Sequence, residues 1–248
     1  MLEVKDLMVF FENALALNSF SMRVDAGEVV GVLGSNSAGK STLMNTISGL
    51  ILDIQEKERM RGGERITVMG QLLFNGEDLA RLSPSERVRR GIVLARERHP
   101  VFPDSTVVEN LKIAGYLRKS RDVKETIDYV MSVFVPLQSL RGRRAGLLSG
   151  GEQQMLVIGC SLVAGPKLLL LDEPLLGLSP ALQKELMKAI VAIRKGRGMT
   201  ILVTEQFARP LLPVIDRGYV IENGTLVMSG SRQELMDNPE VISAYFGV

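Results

Sequence analysis

Residues 28–50 read EVVGVLGSNSAGKSTLMNTISGL. The opening EVVGVL is nearly continuous in apolar residues, as expected of a strand buried on both faces of a sheet. Gly34-Ser35-Asn36-Ser37-Ala38-Gly39-Lys40-Ser41 follows, and KSTLMNTISGL then reads as a helix. The octapeptide matches G-x-x-x-x-G-K-[ST] in the setting the pattern requires, after a strand and before a helix. Its glycines let backbone N–H groups curl around phosphate oxygens. The helix, whose first turn includes Thr42, adds the positive end of its dipole. Lys40 can neutralise the outer phosphates of a nucleoside triphosphate, and the Ser41 hydroxyl can ligate Mg²⁺.

A second strand points to the same chemistry. Four leucines, Leu168 to Leu171, run directly into Asp172-Glu173-Pro174. This puts two carboxylates at the carboxyl edge of a sheet, where open α/β sheets bind ligands. Asp172 suits Mg²⁺ coordination. Glu173 can polarise a water for in-line attack on a γ-phosphate, general-base help worth about 10²–10⁴-fold.

Away from these motifs, LEVKDLMVFF, SMRV, ITVMGQLLF, GIVLA, MTILVT and GYVIENGTLVMSG read as strands, the last as a hairpin around Asn223-Gly224. LSPSERVRRG reads as a capped helix, with Ser83 as cap, Pro84 in the first turn, Glu86 three residues on and Gly91 as stop. Residues from Thr106 to about Leu140 carry helical apolar spacing. Strands alternating with helices predict an α/β domain with a mainly parallel sheet. A helical lobe near 100–165 would be inserted in it. The charged run DIQEKERMRGGER, residues 53–65, reads as an exposed, mobile loop.

Composition narrows the function classes. With 248 residues and 46% hydrophobic content the chain can bury a sizeable core. Thirty Lys+Arg against 28 Asp+Glu, net +2, does not mark a nucleic-acid binder. The one cysteine, Cys160, excludes an internal disulfide and reads as a small core residue. The N-terminus lacks a basic start and does not resemble a signal peptide. No apolar run approaches the ~20 residues needed to span a bilayer, so a role at a membrane would require docking on a membrane partner.

Leu148-Ser149-Gly150-Gly151-Glu152-Gln153-Gln154 resembles the LSGGQ signature of ABC ATPases, in that family's order between the phosphate loop and Asp172. SGGEQQMLVIGCSLVAGPKLLLLDEPLLGLSP, LVTEQ and DRGYVIENG resemble in particular the LivF-type ATPases of branched-chain amino-acid importers. The resemblance covers nearly the whole chain. It implies a P-loop ABC ATPase core with a mixed sheet, an antiparallel β-subdomain and an inserted helical subdomain, all within one domain, 1–248. It implies that ATP, with Mg²⁺, lies between Gly34–Thr42 of one subunit and Ser149, Gly150, Gly151, Glu152 and Gln153 of another. Phe11 falls where the family places an aromatic on adenine. Leu176–Pro180 resembles the D-loop that joins the two sites. Implied partners are a second ATPase subunit, identical or LivG-like, transmembrane permease subunits docked near Glu97–Glu109, and an extracytoplasmic substrate-binding protein. The implied location is the cytoplasmic face of the cell membrane.

Four positions depart from the general ABC pattern. Glu97 stands where most members have Gln, flanked by Arg96 and Arg98, and is a candidate third metal ligand. Gln206 replaces the switch histidine. It can hydrogen-bond a γ-phosphate but carries no proton near neutral pH. The one histidine, His99, lies elsewhere and is expected on the surface. Ser37 replaces a glycine and would be strained if φ there is positive. Ser179 stands where many D-loops have Asp. The implied function is ATP hydrolysis that powers an importer of branched-chain or other hydrophobic amino acids. The alternative is a non-transport ABC ATPase that remodels protein or nucleic acid, against which stand a single phosphate loop and the lack of a long coiled-coil insertion. A catalytically weak subunit is a third reading, suggested by Gln206 and Ser37.

Overall fold

The computed structural model describes residues 1–63, 65–96, 101–239 and 243. In chain order its elements are strands β1 (Leu2–Phe11), β2 (Ala14–Val24) and β3 (Val29–Leu33), then helices α1 (Lys40–Ser48) and α2 (Leu50–Arg61). Next come β4 (Ile66–Phe74), β5 (Glu77–Asp78), α3 (Pro84–Arg90) and β6 (Ile92–Ala95). Helices α4 (Val107–Ala114), α5 (Ser120–Val133), α6 (Val135–Ser139) and α7 (Gly150–Val163) follow. The chain continues with β7 (Leu168–Asp172), α8 (Pro180–Arg197), β8 (Thr200–Glu205), β9 (Arg217–Glu222), β10 (Thr225–Ser231) and α9 (Arg232–Met236).

Two sheets result. An antiparallel sheet has the order β2-β1-β4-β5. The larger sheet has the order β10-β9-β3-β8-β7-β6, parallel except for the β9–β10 hairpin. Alternation along its central strands divides the core in two. Val30, Val32, Leu168, Leu170 and Leu202 face α1 and the antiparallel sheet. Val29, Leu33, Leu169, Leu171, Ile201 and Val203 face the helices α4 to α8. Every residue of β3, β7 and β8 is buried, which is why VVGVL and the four leucines of β7 read as unbroken apolar runs. The expected mixed sheet, antiparallel sheet and helical insertion between β6 and β7 are all present. Among the described residues, no helix is long and apolar enough to cross a membrane.

The charged run after Asp53 is not a loop: it forms most of α2. Its residues are good helix formers without proline. Asp53 sits in the first turn and Arg59 and Arg61 in the last, matching the helix dipole. Arg59 pairs with Glu56 one turn back, and Gly62, at φ 64°, ends the helix by donating to the carbonyls of Arg59 and Glu58. Only Ile51 of the twelve residues is buried, so no apolar stripe announced it. The break from α1 falls at Gly49, at φ 86°. The capped helix α3 forms as the sequence predicts, with a reciprocal Ser83–Glu86 box and Gly91 at φ 98°.

One buried charge joins these pieces. The Arg87 guanidinium is 2% exposed and donates to the carbonyls of Thr46, Ile47 (3.1 Å), Leu79 (2.6 Å) and Leu82 (2.9 Å). It therefore caps the negative end of α1 and holds the β5–α3 connection against it. Burial lowers its pKa to about 10, so it stays charged at neutral pH. Arg87→Met keeps the aliphatic stem but strands these carbonyls, which is expected to destabilise the fold by about 3 kcal/mol. For a chain of this size that corresponds to a melting-temperature drop of roughly 6–12 °C, checked by calorimetry; an unchanged melting temperature would count against the cap.

Candidate functional site

The carboxyl ends of β3, β8 and β7 meet the N-terminus of α1. Parallel pairing sets Leu33 beside Glu205 and Asp172 beside Thr204. The loop leaving β3 therefore emerges next to the acidic end of β7. Its geometry leaves the α1 N-terminus uncovered. The N-cap is Gly39, at φ 105°, which offers no side chain to the first-turn amides. By contrast α3, α4, α7, α8 and α9 are each capped by a Ser or Thr side chain. A side chain at Gly39 would also strike the Ala16 carbonyl, 2.6 Å from where Cβ would sit. The uncapped amides, those of Lys40, Ser41 and Thr42, have no intrahelical acceptor one turn back and suit an anion. Ser37 does adopt positive φ, 64°, so the strain expected of a side chain there is present.

Lys40 is 3% exposed, and its ammonium is filled by three acceptors. These are the carbonyls of Gly34 (2.7 Å) and Ser35 (2.8 Å) and the Glu173 carboxylate (2.9 Å). The loop thus folds back on its own lysine and aims it at the acidic strand end. Ser41 Oγ donates to Asp172 Oδ1 at 3.4 Å, and Asp172 is 6% exposed. Two hard oxygen donors converging at a buried strand end fit Mg²⁺, which takes few protein ligands and completes its shell with water and phosphate. Ala16, Ser37, Gly39, Lys40, Ser41, Thr42 and Glu173 line a cavity of about 280 Å³ at this point.

Glu173 has φ 44°, an unusual backbone for glutamate. Its N–H is anchored by Thr204, at 3.2 Å to the carbonyl and 3.1 Å to Oγ1. The same hydroxyl donates to Asp172 Oδ1 at 2.8 Å. Thr204, fully buried, so fixes both acids, and nothing in the sequence singled it out. Glu205 was missed as well. It is 5% exposed, and its carboxylate side chain accepts from the Leu175 N–H at 2.8 Å. Burial pushes its carboxyl up to about 8; Glu173 adds to the rise, against hydrogen bonds from the Leu175 and Gln206 N–H groups. A carboxylate closing the mostly apolar strand TILVTE is the signal that could have found it.

Other expected residues are placed differently. Gln206 lines, with Glu173 and Glu205, an adjoining cavity of about 270 Å³. Ser149 caps α7 in a box with Glu152, its N–H donating to Glu152 at 2.7 Å, and Gln153 holds the Ala145 carbonyl at 3.2 Å. None of Ser149–Gln153 lines the phosphate-loop cavity of its own chain. A side chain at Gly151 would strike Leu182, whereas a Cβ at Gly150 would meet nothing within 4 Å. Phe11 packs, partly buried, against the core beneath the antiparallel sheet and does not line that cavity either. Cys160 is partly buried against the larger core, with its thiol pushed up to about 12 by burial, which fits an inert core residue. Glu97, Arg98 and His99 lie outside the described residues.

Known proteins with this arrangement are numerous. The ABC transporter family model matches residues 17–176, more than half of the chain. The branched-chain amino acid transport ATP-binding protein BraG of Pseudomonas aeruginosa is 37% identical over the whole of both chains. The probable branched-chain amino acid transport ATP-binding protein LivF of Archaeoglobus fulgidus is 33% identical over 91% of this chain and 89% of its own. An ATP-binding cassette of an ABC transporter, solved in its ADP conformation, superposes with a TM-score of 0.82 over 100% of this chain and 99% of its own, at 26% identity. The chain belongs to the ABC transporter family of ATP-binding subunits.

The Glu205 carboxyl carries a pH signature. Unfolded, it titrates near its ordinary 4.5; folded, it keeps its proton up to about 8. The unfolded state therefore releases a proton that the folded state holds, and stability falls as pH rises across that window. Glu205→Gln cannot titrate, so its melting temperature relative to the unmodified protein is expected to climb between pH 5 and 8 and then level off. A pH-independent difference, measured by thermal melts across that range, would contradict the assignment.

Proposed function

We propose that this ABC-family chain hydrolyses ATP as one subunit of a two-subunit motor that drives a membrane importer of branched-chain or other hydrophobic amino acids. The observation that carries the reading is the Lys40–Glu173 contact at 2.9 Å beside the Ser41–Asp172 pair. The lysine that receives phosphate and the base that activates water hold one another there. A γ-phosphate oxygen arriving at Lys40 replaces the Glu173 carboxylate, which is then free to accept the proton of the attacking water. The α1 amides and Lys40 take the charge that spreads over the phosphate oxygens. Ser41 and Asp172 would hold Mg²⁺, with Glu97 as a third ligand, and the chemistry it would supply there is neutralisation of phosphate charge. Gln206 hydrogen-bonds the γ-phosphate as a neutral group, and Phe11 stacks on adenine.

The second subunit supplies Ser149–Gln153 across the ATP. The open space at Gly150 supports this, because no contact within the chain requires glycine there. The chain works as one domain, residues 1–248, with the helical block at about 100–165 facing the membrane subunits. Within that block Phe102, Ile113, Tyr116 and Leu117 are exposed apolar side chains available to a partner. Amino acids as cargo rest on the full-length likeness to BraG and on the LivF-type stretches around Asp172 and Gln206. The same likeness supports peripheral attachment at the cytoplasmic membrane face, beside permease subunits and an extracytoplasmic binding protein.

Two substitutions test the reading. Glu173→Gln is expected to cut the steady-state phosphate-release rate by at least about 10²-fold while ATP binding persists; turnover within a few-fold of the unmodified protein would remove Glu173 from the role of base. A Cβ at Gly150 meets nothing within 4 Å, so the melting temperature of Gly150→Asp should hold while ATP-dependent dimerisation is lost in sedimentation runs. Intact dimerisation would place the signature away from the interface.

A further inference from the structure

Glu205 is a buried carboxyl that the ATPase reading leaves without a task. It closes β8, whose six residues are all buried, one position before Gln206. A carboxyl there bears a desolvation cost that an apolar or hydroxyl side chain would avoid. What it obtains in return is specific. The Leu175 N–H, on a residue 3% exposed, donates to Glu205 Oε1 at 2.8 Å. Leu175 lies in the turn over residues 174–177 and directly precedes Leu176–Pro180, the segment that resembles the D-loop. Gln206 follows Glu205 directly in the chain. One side chain therefore ties the chain on the far side of Glu173 to the root of Gln206.

The opposite flank of that segment is tied as well. Gln183 of α8 donates to the carbonyl of Leu178 at 3.2 Å and to that of Leu175 at 3.5 Å. Glu173, Leu175, Gln183, Glu205 and Gln206 border one cavity of about 270 Å³, so these ties surround the space behind the base. Titratable and charged groups facing Glu205 are Glu173, Lys40 and, across the cavity, Arg209.

We infer that Glu205 is a positioning residue that locks the Leu175–Pro180 segment to Gln206, so that the contact between subunits and the γ-phosphate contact shift together around Glu173. The inference rests on the ATPase reading for its consequence, and on hydrogen-bond geometry for its cause. Glu205→Ala removes the acceptor and frees Leu175 N–H; Glu205→Gln keeps an acceptor of the same length.

The experiment measures Mg-ATP hydrolysis by the unmodified chain and its two variants, together with amide hydrogen exchange at Leu175. Glu205→Ala is expected to lower kcat by about tenfold or more with KM for ATP within about threefold, since loss of placement acts on the reaction step more than on binding. Glu205→Gln should restore kcat to within about threefold of the unmodified protein. Exchange at the Leu175 amide should speed up by at least about tenfold in Glu205→Ala and stay slow in Glu205→Gln. Unmodified kcat in Glu205→Ala, or equal damage in both variants, would overturn the inference while leaving the ATPase reading in place. Absence of hydrolysis by the unmodified chain would sink that reading instead, and the exchange rates alone would then decide whether Glu205 holds the segment. Should Glu205→Ala not fold, an unprotected Leu175 amide in the unmodified protein would equally overturn it, and a protected one would support it.

Discussion

The placement of β8 between β3 and β7 is the constraint on which the rest depends. Parallel register brings Leu33 beside Glu205 and Thr204 beside Asp172, so the phosphate loop and the acidic strand end open at one edge. That edge is also where α1 begins, and its glycine N-cap leaves positive backbone ends facing two carboxylates. Were β8 absent, Asp172 would lose its 2.8 Å hydrogen bond and Glu173 its backbone anchor. The polar end of β7 fixes this register, because its leucines are buried on both faces while a one-residue slip would carry Asp172 away from Thr204 and Ser41.

The electrostatic design follows from that geometry. Lys40 is almost fully buried yet fully satisfied, by two carbonyls of its own loop and by Glu173. A buried ammonium without such partners would bear a heavy desolvation cost. The carbonyl contacts belong to the loop's own backbone, whereas the Glu173 contact comes from a side chain and is the one an incoming anion displaces with least disturbance. The site is thus arranged so that ligand arrival changes the state of the base. At the other end of α1, Arg87 neutralises the helix's negative pole from inside the core. One helix is therefore held at both ends by buried cations of opposite task, Lys40 toward ligand and Arg87 toward structure.

How much of this could be read in advance depends on the range of the interaction. The loop at Gly34–Ser41, the acids at Asp172-Glu173, the Ser83–Glu86 box and the Asn223-Gly224 hairpin are local patterns, and each sits in the element its neighbours predict. The helix α2 was misread because its charged residues follow no apolar stripe; local capping and the Arg59–Glu56 pair stabilise it instead. Thr204, Glu205 and Arg87 were illegible for a different reason. Each has a partner 30 to 41 residues away, Asp172 and Leu175 across the sheet edge for Thr204 and Glu205 and Thr46 at the end of α1 for Arg87, and only the tertiary fold brings them together. The positive φ at Ser37 was foreseeable from the loop pattern, that at Glu173 was not.

The central claim is that Lys40 and the first turn of α1 grip the triphosphate of ATP. Isothermal titration of Mg-ATP into the purified chain, repeated with Lys40→Ala, tests it directly. The account predicts saturable binding of one ATP per chain, weakened by at least about a hundredfold in Lys40→Ala, the scale of losing a buried charge-assisted contact. Equal affinity in the two proteins would contradict it.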